Sequence, residues 1–340
     1  MEPGKQQSVG MAEIAVAAGV AVSTVSRALS GAAGVSPAKR AQILEIALSM
    51  GYLADPAARS DRRVDPARAR ITAVIPEPDR WVFGSILAGL HDVLTPAGAS
   101  LSVYQGFSGT ERARIFGSAG VAKYTDVIVL VPMPRGMPVE QLAAIGVPVV
   151  VAGSVVMGLP SVGIDDVSVG RQATNYLINT GYRGIAYASY TDHEGTPGNA
   201  SRLRGEGFVA SMSRAGLDSS WRIQVPFGPD SGRAAAQQLL ASDQLPEALV
   251  VCSDEMAAGM MSVFRRAGVR IPDDLAIIGV DNHPVAELVH LTTIAQPARQ
   301  QGQLAATMTL QLLARTLKPE AITLPTRLIV RESTARQTQG

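Results

Sequence analysis

Ala18-Gly19-Val20-Ala21-Val22-Ser23-Thr24-Val25-Ser26-Arg27-Ala28-Leu29 is the stretch on which the architecture of the whole chain turns. Just before it, Met11, Ile14, Ala15 and Ala18 recur at helical spacing, which predicts a short amphipathic helix. Gly19 follows and suits the left-handed residue that ends a helix. A second helix is expected over Val22–Leu29, with Val25, Ala28 and Leu29 on one face and Ser23, Ser26 and Arg27 on another. Gly31 and Gly34 break the pattern, and Ser36-Pro37 opens a third helix as N-cap and first-turn proline. Ile43, Ile46, Ala47 and Met50 form its inward stripe, and Gly51 stops it. Helix, tight glycine turn, then a short helix with small polar residues and an arginine is the helix-turn-helix plan, whose second helix fits the major groove. By pattern alone, a small three-helix bundle that touches no nucleic acid remains open.

Outward from this head the bulk properties narrow the field. The 340 residues suggest two or three folding units. The composition, 46% hydrophobic and 17% charged, is that of a globular chain. Aromatics make up only 4%, so any near a ligand site stand out. Cys252 is the only cysteine, which excludes an intrachain disulfide and a cysteine zinc cluster and suits a reducing compartment. No basic start followed by an apolar run marks an export signal, and no apolar run is long enough to span a bilayer. A cytoplasmic protein with no membrane association is expected. Net charge is +1, yet residues 1–70 hold nine Lys/Arg against six Asp/Glu. A basic head on a near-neutral body follows.

From Ile71 the pattern changes. Short apolar runs (Ile71–Ile75, Leu101–Tyr104, Val127–Val131, Val147–Ala152, Ile185–Ala188, Ile223–Pro226, Ala248–Val251, Leu275–Val280) alternate with helical stretches (Phe83–Leu94, Val139–Ile145, Gly170–Thr180, Arg202–Ala215, Gly232–Ala241, Glu255–Ala267). Such alternation predicts an α/β body with parallel sheets covered on both faces. Its length favours two lobes, with a ligand at the strand ends.

The string Ala18–Leu29 closely resembles the head of the LacI/GalR family of bacterial repressors, whose usual form is AGVS, two variable residues, then TVSR. The resemblance runs nearly end to end, through Gly163-Ile164-Asp165-Asp166, Gly181-Tyr182-Arg183-Gly184, Ser253-Asp254-Glu255-Met256-Ala257, Gly279-Val280-Asp281-Asn282, Leu291-Thr292-Thr293-Ile294 and Gln296-Pro297. It implies a helix-turn-helix head over 1–51, a hinge and linker over 52–70, and a two-lobed, periplasmic-binding-protein-like body over 71–340 that binds an effector and dimerises. The N-lobe would take 71–171 and 300–330, and the C-lobe 172–299.

The resemblance also assigns residues. Val22 and Ser23 are its variable positions at the start of the recognition helix, and Arg27 is a third base reader, suited to guanine O6/N7. Thr24, Ser26, Ser36 and Arg40 match phosphate-contacting positions, and Arg59 belongs to the hinge that engages DNA. The usual Ser/Thr caps of the first two helices are Gly10 and Ala21 here, each a loss of up to about 1 kcal/mol. The hinge Tyr52–Asp61 carries Asp61 where the family has a leucine that wedges into the minor groove. Less operator bending is therefore expected, and a plain solvated linker is the alternative. In the body, Arg204 of Arg-x-x-Gly-Phe matches an arginine that forks onto ligand hydroxyls or a carboxylate, Asp281 an acidic acceptor, and Phe227 a stacking aromatic. Trp81 and Phe83 match the aromatic end of the first N-lobe loop, and Ser253 stands where many relatives have Asn. Trp221 reads as packing or surface.

The function implied is a ligand-responsive regulator, a repressor that binds a near-palindromic double-stranded operator as a homodimer, with a sugar or related metabolite as effector. No cofactor or metal is called for. Neither a P-loop nor GxGxxG is present, Gly106-Phe107-Ser108-Gly109 is too short for a nucleophile elbow, and His91, His193, His283 and His290 lack metal spacing. No enzymatic activity is expected. Two rivals are a sugar-binding protein of the periplasmic type, and a regulator whose body senses a partner protein.

Overall fold

The computed structural model describes residues 10–29, 34–50, 64–106, 111, 115–116, 121, 124–134, 137, 139, 142, 145–191, 198–317 and 320–335. Arg59 and Asp61, with the rest of the hinge to 63, lie outside the described residues, as do Ser108 and His193.

The head consists of α1 (Met11–Ala18), α2 (Val22–Leu29) and α3 (Pro37–Ser49). Ile14, Ala15 and Ala18 of α1, Val25 and Ala28 of α2, and Ile43 and Ala47 of α3 make its core, with Leu29, Ile46 and Met50 packed against it. Gly19 ends α1 at φ 62°, in the left-handed region. The Lys39 ammonium, arriving from α3, donates to the Ala18 carbonyl at 3.2 Å and satisfies the C-terminal end of α1. Gly10 has no side chain to cap α1, but its own N–H donates to Glu13 Oε2 at 2.8 Å. Half of a capping box thus survives, so the expected loss at this end is partly offset. Ser36 accepts from the Lys39 N–H at 3.3 Å, as an N-cap should.

Beyond the hinge the chain divides into two compact units. The first takes the residues through Gly163 and Ala298–Thr323, and the second takes Ile164–Pro297 and Leu324 onward. The first unit contains β1 (Arg70–Ile75), α4 (Trp81–Leu94), β2 (Ser100–Gln105), β3 (Val127–Leu130), β4 (Val149–Ala152) and β5 (Ser161–Gly163). The second runs α5 (Asp166–Asn179), β6 (Ile185–Thr191), α6 (Asn199–Arg214), β7 (Arg222–Pro226), α7 (Ser231–Leu240), β8 (Ala248–Val251), α8 (Asp254–Arg266), β9 (Ala276–Asp281), α9 (Pro284–Leu288) and β10 (Thr292–Ala295). The chain then returns to the first unit with α10 (Ala298–Leu313) and β11 (Ala321–Thr323), and ends in the second with β12 (Arg327–Ile329).

Each unit holds one six-stranded sheet, ordered β2-β1-β3-β4-β5-β11 and β7-β6-β8-β9-β10-β12. Pairing is parallel throughout except for β12, which runs antiparallel to β10 with Thr293 opposite Ile329. The sheets are parallel as expected, with this one antiparallel strand added at an edge. The expected lobe boundaries move. α5 begins at Asp166 within the second unit, well before residue 172, and 324–330 joins the second sheet through β12. The central strands read as continuous apolar runs because helices cover both faces, and β3, β4, β8 and β9 are buried along their whole length. The Val139–Ile145 helix falls largely on positions outside the described residues. Among the described residues, no single helix is long and apolar enough to cross a membrane.

One packing device recurs in both units. A Cβ on Gly89 of α4 would lie 2.0 Å from the Arg299 carbonyl oxygen, and one on Gly302 of α10 would lie 2.0 Å from that of Ile86. In the second unit a Cβ on Gly170 of α5 would meet the Arg204 carbonyl oxygen at 2.0 Å, and one on Gly207 of α6 would meet that of Val167 at 2.1 Å. These helix pairs cross backbone to backbone, which only glycine permits.

Candidate functional site

In the head, Val22 is 46% exposed, Ser23, Ser26 and Arg27 are exposed, and Thr24 is half-buried. Their neighbours Val25 and Ala28 are in the core. α2 therefore divides its short length between packing and a polar outer surface, which is the division a groove-reading helix needs. Arg27 lays its Nε on the Ser23 carbonyl at 3.2 Å. Ser36 is exposed beside the start of α3, and Arg40 is half-buried one turn on.

In the second unit, α6 follows β6 and places Arg204 on the side that crosses α5. Arg204 is only 6% exposed. Its Nε donates to Asp166 Oδ1 at 2.8 Å, and its Nη1 donates to the Cys252 carbonyl at 2.5 Å. Asp281 Oδ1 lies 3.8 Å from Nη1. Burial by itself would pull the Arg204 pKa down, but Asp166 and Asp281 more than offset it and hold the group above the ordinary arginine value. Cys252 directly follows β8, Asp281 closes β9, and β8 neighbours β6 where the strand order reverses. The cluster thus occupies the carboxyl ends of the strands at the topological switch point, where open α/β sheets bind ligands.

Asp281 is 3% exposed and holds φ 118°, and Asn282 follows at φ 56°. Two successive non-glycine residues at positive φ cost about 1–3 kcal/mol each. Hydrogen bonds from several sides hold this corner. Gln296 Nε2 donates to Asp281 Oδ1 at 2.5 Å, and Asn282 N–H donates to Thr293 Oγ1 at 3.3 Å. Arg331 Nη2 donates to Asn282 Oδ1 at 3.0 Å, and His283 N–H donates to Asp254 Oδ2 at 2.9 Å. Asp254 is fully buried and also accepts from Thr293 Oγ1 at 2.7 Å. Burial, and then the Asp281 carboxylate, push its pKa well up, against the pull of those bonds. A Cβ on Gly279 would lie 2.1 Å from Asp254 Oδ1, so glycine there makes room for this carboxylate.

Phe227, just past β7, is half-buried and meets Tyr190 edge-on at 4.9 Å between ring centroids. Ser253 is buried with its hydroxyl accepting from the Met256 N–H at 3.3 Å; it caps α8, and its oxygen is spent on backbone. Trp221 packs against the second core. In the first unit Trp81 opens α4, and the Arg80 guanidinium lies 5.3 Å above the Phe83 ring. Phe83 is largely buried. Both aromatics fall within the first turn of the helix and not in the preceding loop.

The structure thus brings Arg204 and Asp281 together and adds Asp166, Asp254, Gln296 and the Cys252 carbonyl, none of which was assigned a role from sequence. Asp166, Asp254 and Gln296 lie within strings quoted there, and Cys252 adjoins Ser253. Nothing in Asp165-Asp166 tells which aspartate does what: Asp165 accepts from Ser168 N–H and caps α5, while Asp166 reaches Arg204.

Comparison with known proteins agrees with this fold. Residues 10–55 match the model for bacterial regulatory proteins of the lacI family, and residues 174–334 match a periplasmic binding protein-like domain. The HTH-type transcriptional regulator CelR of Thermobifida fusca is 32% identical over 339 residues, covering 94% of this chain and 96% of its own length. A solved complex of transcriptional regulator CelR with cellobiose matches at TM-score 0.68 and 30% identity, over 96% of this chain and 99% of that one. The lac repressor dimer bound to operator and the anti-inducer ONPF shares the fold at TM-score 0.70 and 22% identity, over 97% of this chain and 100% of that one. With a helix-turn-helix DNA-binding head, an α/β body of two units and a relative of this likeness along nearly its full length, the chain belongs to the lacI family of bacterial transcriptional regulators.

Proposed function

We propose that this regulator is a cytoplasmic repressor that binds a near-palindromic operator as a homodimer and releases or tightens its hold when a sugar or similar small metabolite binds. α2 enters the major groove, where Val22, Ser23 and Arg27 face base edges, Thr24, Ser26, Ser36 and Arg40 lie on phosphates, and Arg59 of the hinge engages DNA. Two heads related by a two-fold axis read two half-sites. The effector is held at the strand ends of the second unit, where Arg204 donates, Asp281 accepts and Phe227 offers a flat apolar face. Trp81 and Phe83 are the first unit's candidates. Ser253 is the weakest candidate, because its hydroxyl already caps a helix.

Arg204 carries this proposal. A guanidinium drawn this far inside, with carboxylates beside it and next to a strained strand end, needs a reason beyond stability, since a buried ion pair often contributes little net. The effector alters DNA affinity only by its differential affinity for the DNA-competent and DNA-incompetent states. The test is selection of a duplex from a random pool by the full chain, followed by titration at fixed salt with and without sugars and nucleosides. A selected near-palindrome whose affinity changes with one of them is expected. No preference over random competitor, with or without those ligands, refutes the proposal.

A further inference from the structure

Arg204 is unevenly committed. A guanidinium grips a carboxylate or phosphate through two adjacent donors, either Nε with Nη2 or Nη1 with Nη2. Here Nε is bonded to Asp166 and Nη1 to the Cys252 carbonyl. Asp166 therefore closes the fork made by Nε and Nη2, and the Cys252 carbonyl takes one of the two Nη1 N–H groups. Among the described residues Nη2 makes no hydrogen bond to protein, so its N–H groups are left to offer, which suits hydroxyl oxygens.

Charge points the same way. Asp166 lies 2.8 Å and Asp281 3.8 Å from the same guanidinium. The neighbouring Arg331 spends its donors on the Leu291 carbonyl and on Asn282 Oδ1, and its partners are not these carboxylates. Two carboxylates already share one cation. An anionic ligand would have to displace Asp166 or sit beside uncompensated like charge where water is largely excluded. Hydroxyl groups face no such cost, because they donate to carboxylates and accept from Nη2 alike.

We infer that Asp166 acts as a fixed internal counter-ion that restricts the effector of this protein to polyhydroxylated ligands without a carboxylate or phosphate. This inference rests on the proposed effector site at Arg204. Asp166 would then set specificity, closing one fork of an arginine suited to gripping acids and offsetting its charge, so that its remaining N–H groups serve hydroxyls.

The experiment uses the full chain, with calorimetric titration and thermal shift on matched pairs: glucose with gluconate and glucose 6-phosphate, ribose with ribose 5-phosphate, cellobiose with cellobionate. In the wild type, the uncharged member of whichever pair binds should bind at least about 10-fold more tightly than its acid, a difference of about 1.4 kcal/mol. Asp166→Asn keeps the side chain's size and removes its charge; it should narrow that ratio by about 10-fold or more, with cooperative unfolding confirming the fold. An acid that binds the wild type as tightly as its neutral partner overturns the inference and leaves the effector site standing. So does an unchanged ratio in Asp166→Asn. A ligand response that survives in Arg204→Ala, or no response to any pair, refutes the site itself, and the inference falls with it.

Discussion

Replacing Gly207 by alanine tests whether the close helix crossing is what delivers Asp166 to Arg204. The added Cβ would stand 2.1 Å from the Val167 carbonyl oxygen and 2.8 Å from the Arg171 nitrogen. Both are backbone atoms and cannot turn aside as a side chain would. Ordinary contact begins at 3.4 Å, so α5 and α6 must part by roughly 1.3 Å. A shift of that size carries the 2.8 Å bond between Arg204 and Asp166 out of hydrogen-bond range. Overpacking costs about 1–3 kcal/mol, and a lost hydrogen bond to a charged partner costs about 1.5–3 kcal/mol. Together they predict about 3–5 kcal/mol, with loss of the effector response. The assay is urea unfolding in a Trp81→Phe background, so that Trp221, packed on the second core, reports that unit alone. Gly228→Ala is the control, because a Cβ there meets nothing within 4 Å and should change stability by less than about 1 kcal/mol. If Gly207→Ala costs under about 1 kcal/mol and keeps its ligand response, the crossing does not position the cluster.

Arg27→Ala should relax base preference at one position per half-site by roughly 1–3 kcal/mol, measured as the affinity ratio over single-base operator variants; a uniform loss across all variants would make Arg27 a phosphate contact. Arg204→Ala should abolish the effector response and, by stripping Asp166 and Asp281 of their shared cation, cost about 3–5 kcal/mol in the unfolding of the second unit; a variant as stable as the wild type would deny the ion pair its place. Asp254 should make stability fall with pH. Its native pKa lies above its unfolded one, so its contribution is full below about 4 and is lost as pH rises toward the native value. The stability of Asp254→Asn relative to wild type should therefore climb over that window, and a flat difference in denaturation midpoints would show that Asp254 titrates like an ordinary carboxylate.

The head was legible because its signals are local. The spacing of Ile14, Val25 and Ile43, the turn at Gly19 and the cap at Ser36 each depend on neighbours within a few residues. The reach of Glu13 back to Gly10 was equally local and was passed over because Gly10 drew attention as a missing cap. In the body, the apolar runs marked most of the strands that lie in the sheet interiors. β5, β10, β11 and β12 went unmarked because they are three or four residues long, carry little apolar length of their own and owe their pairing to distant partners, Ser161 to Ala321 and Thr293 to Ile329 among them.

The site divides along the same line. The pattern Arg-x-x-Gly-Phe carried a family likeness in sequence, but its physical meaning comes from partners far along the chain: Gly207 is glycine because Val167 passes 2.1 Å from where a Cβ would be, and Phe208 stacks on Tyr187 in the core. By itself, the order of residues determined the helix-turn-helix head and the alternation of strand and helix through periodicity and turn chemistry, while the candidacy of Arg204 and Asp281 came from the family resemblance. Tertiary structure alone decided which aspartate of Asp165-Asp166 meets the arginine and that Asp281 is held in a strained conformation. Electrostatic contact acts through a few ångströms of space and is indifferent to the 38 residues of chain that separate Asp166 from Arg204.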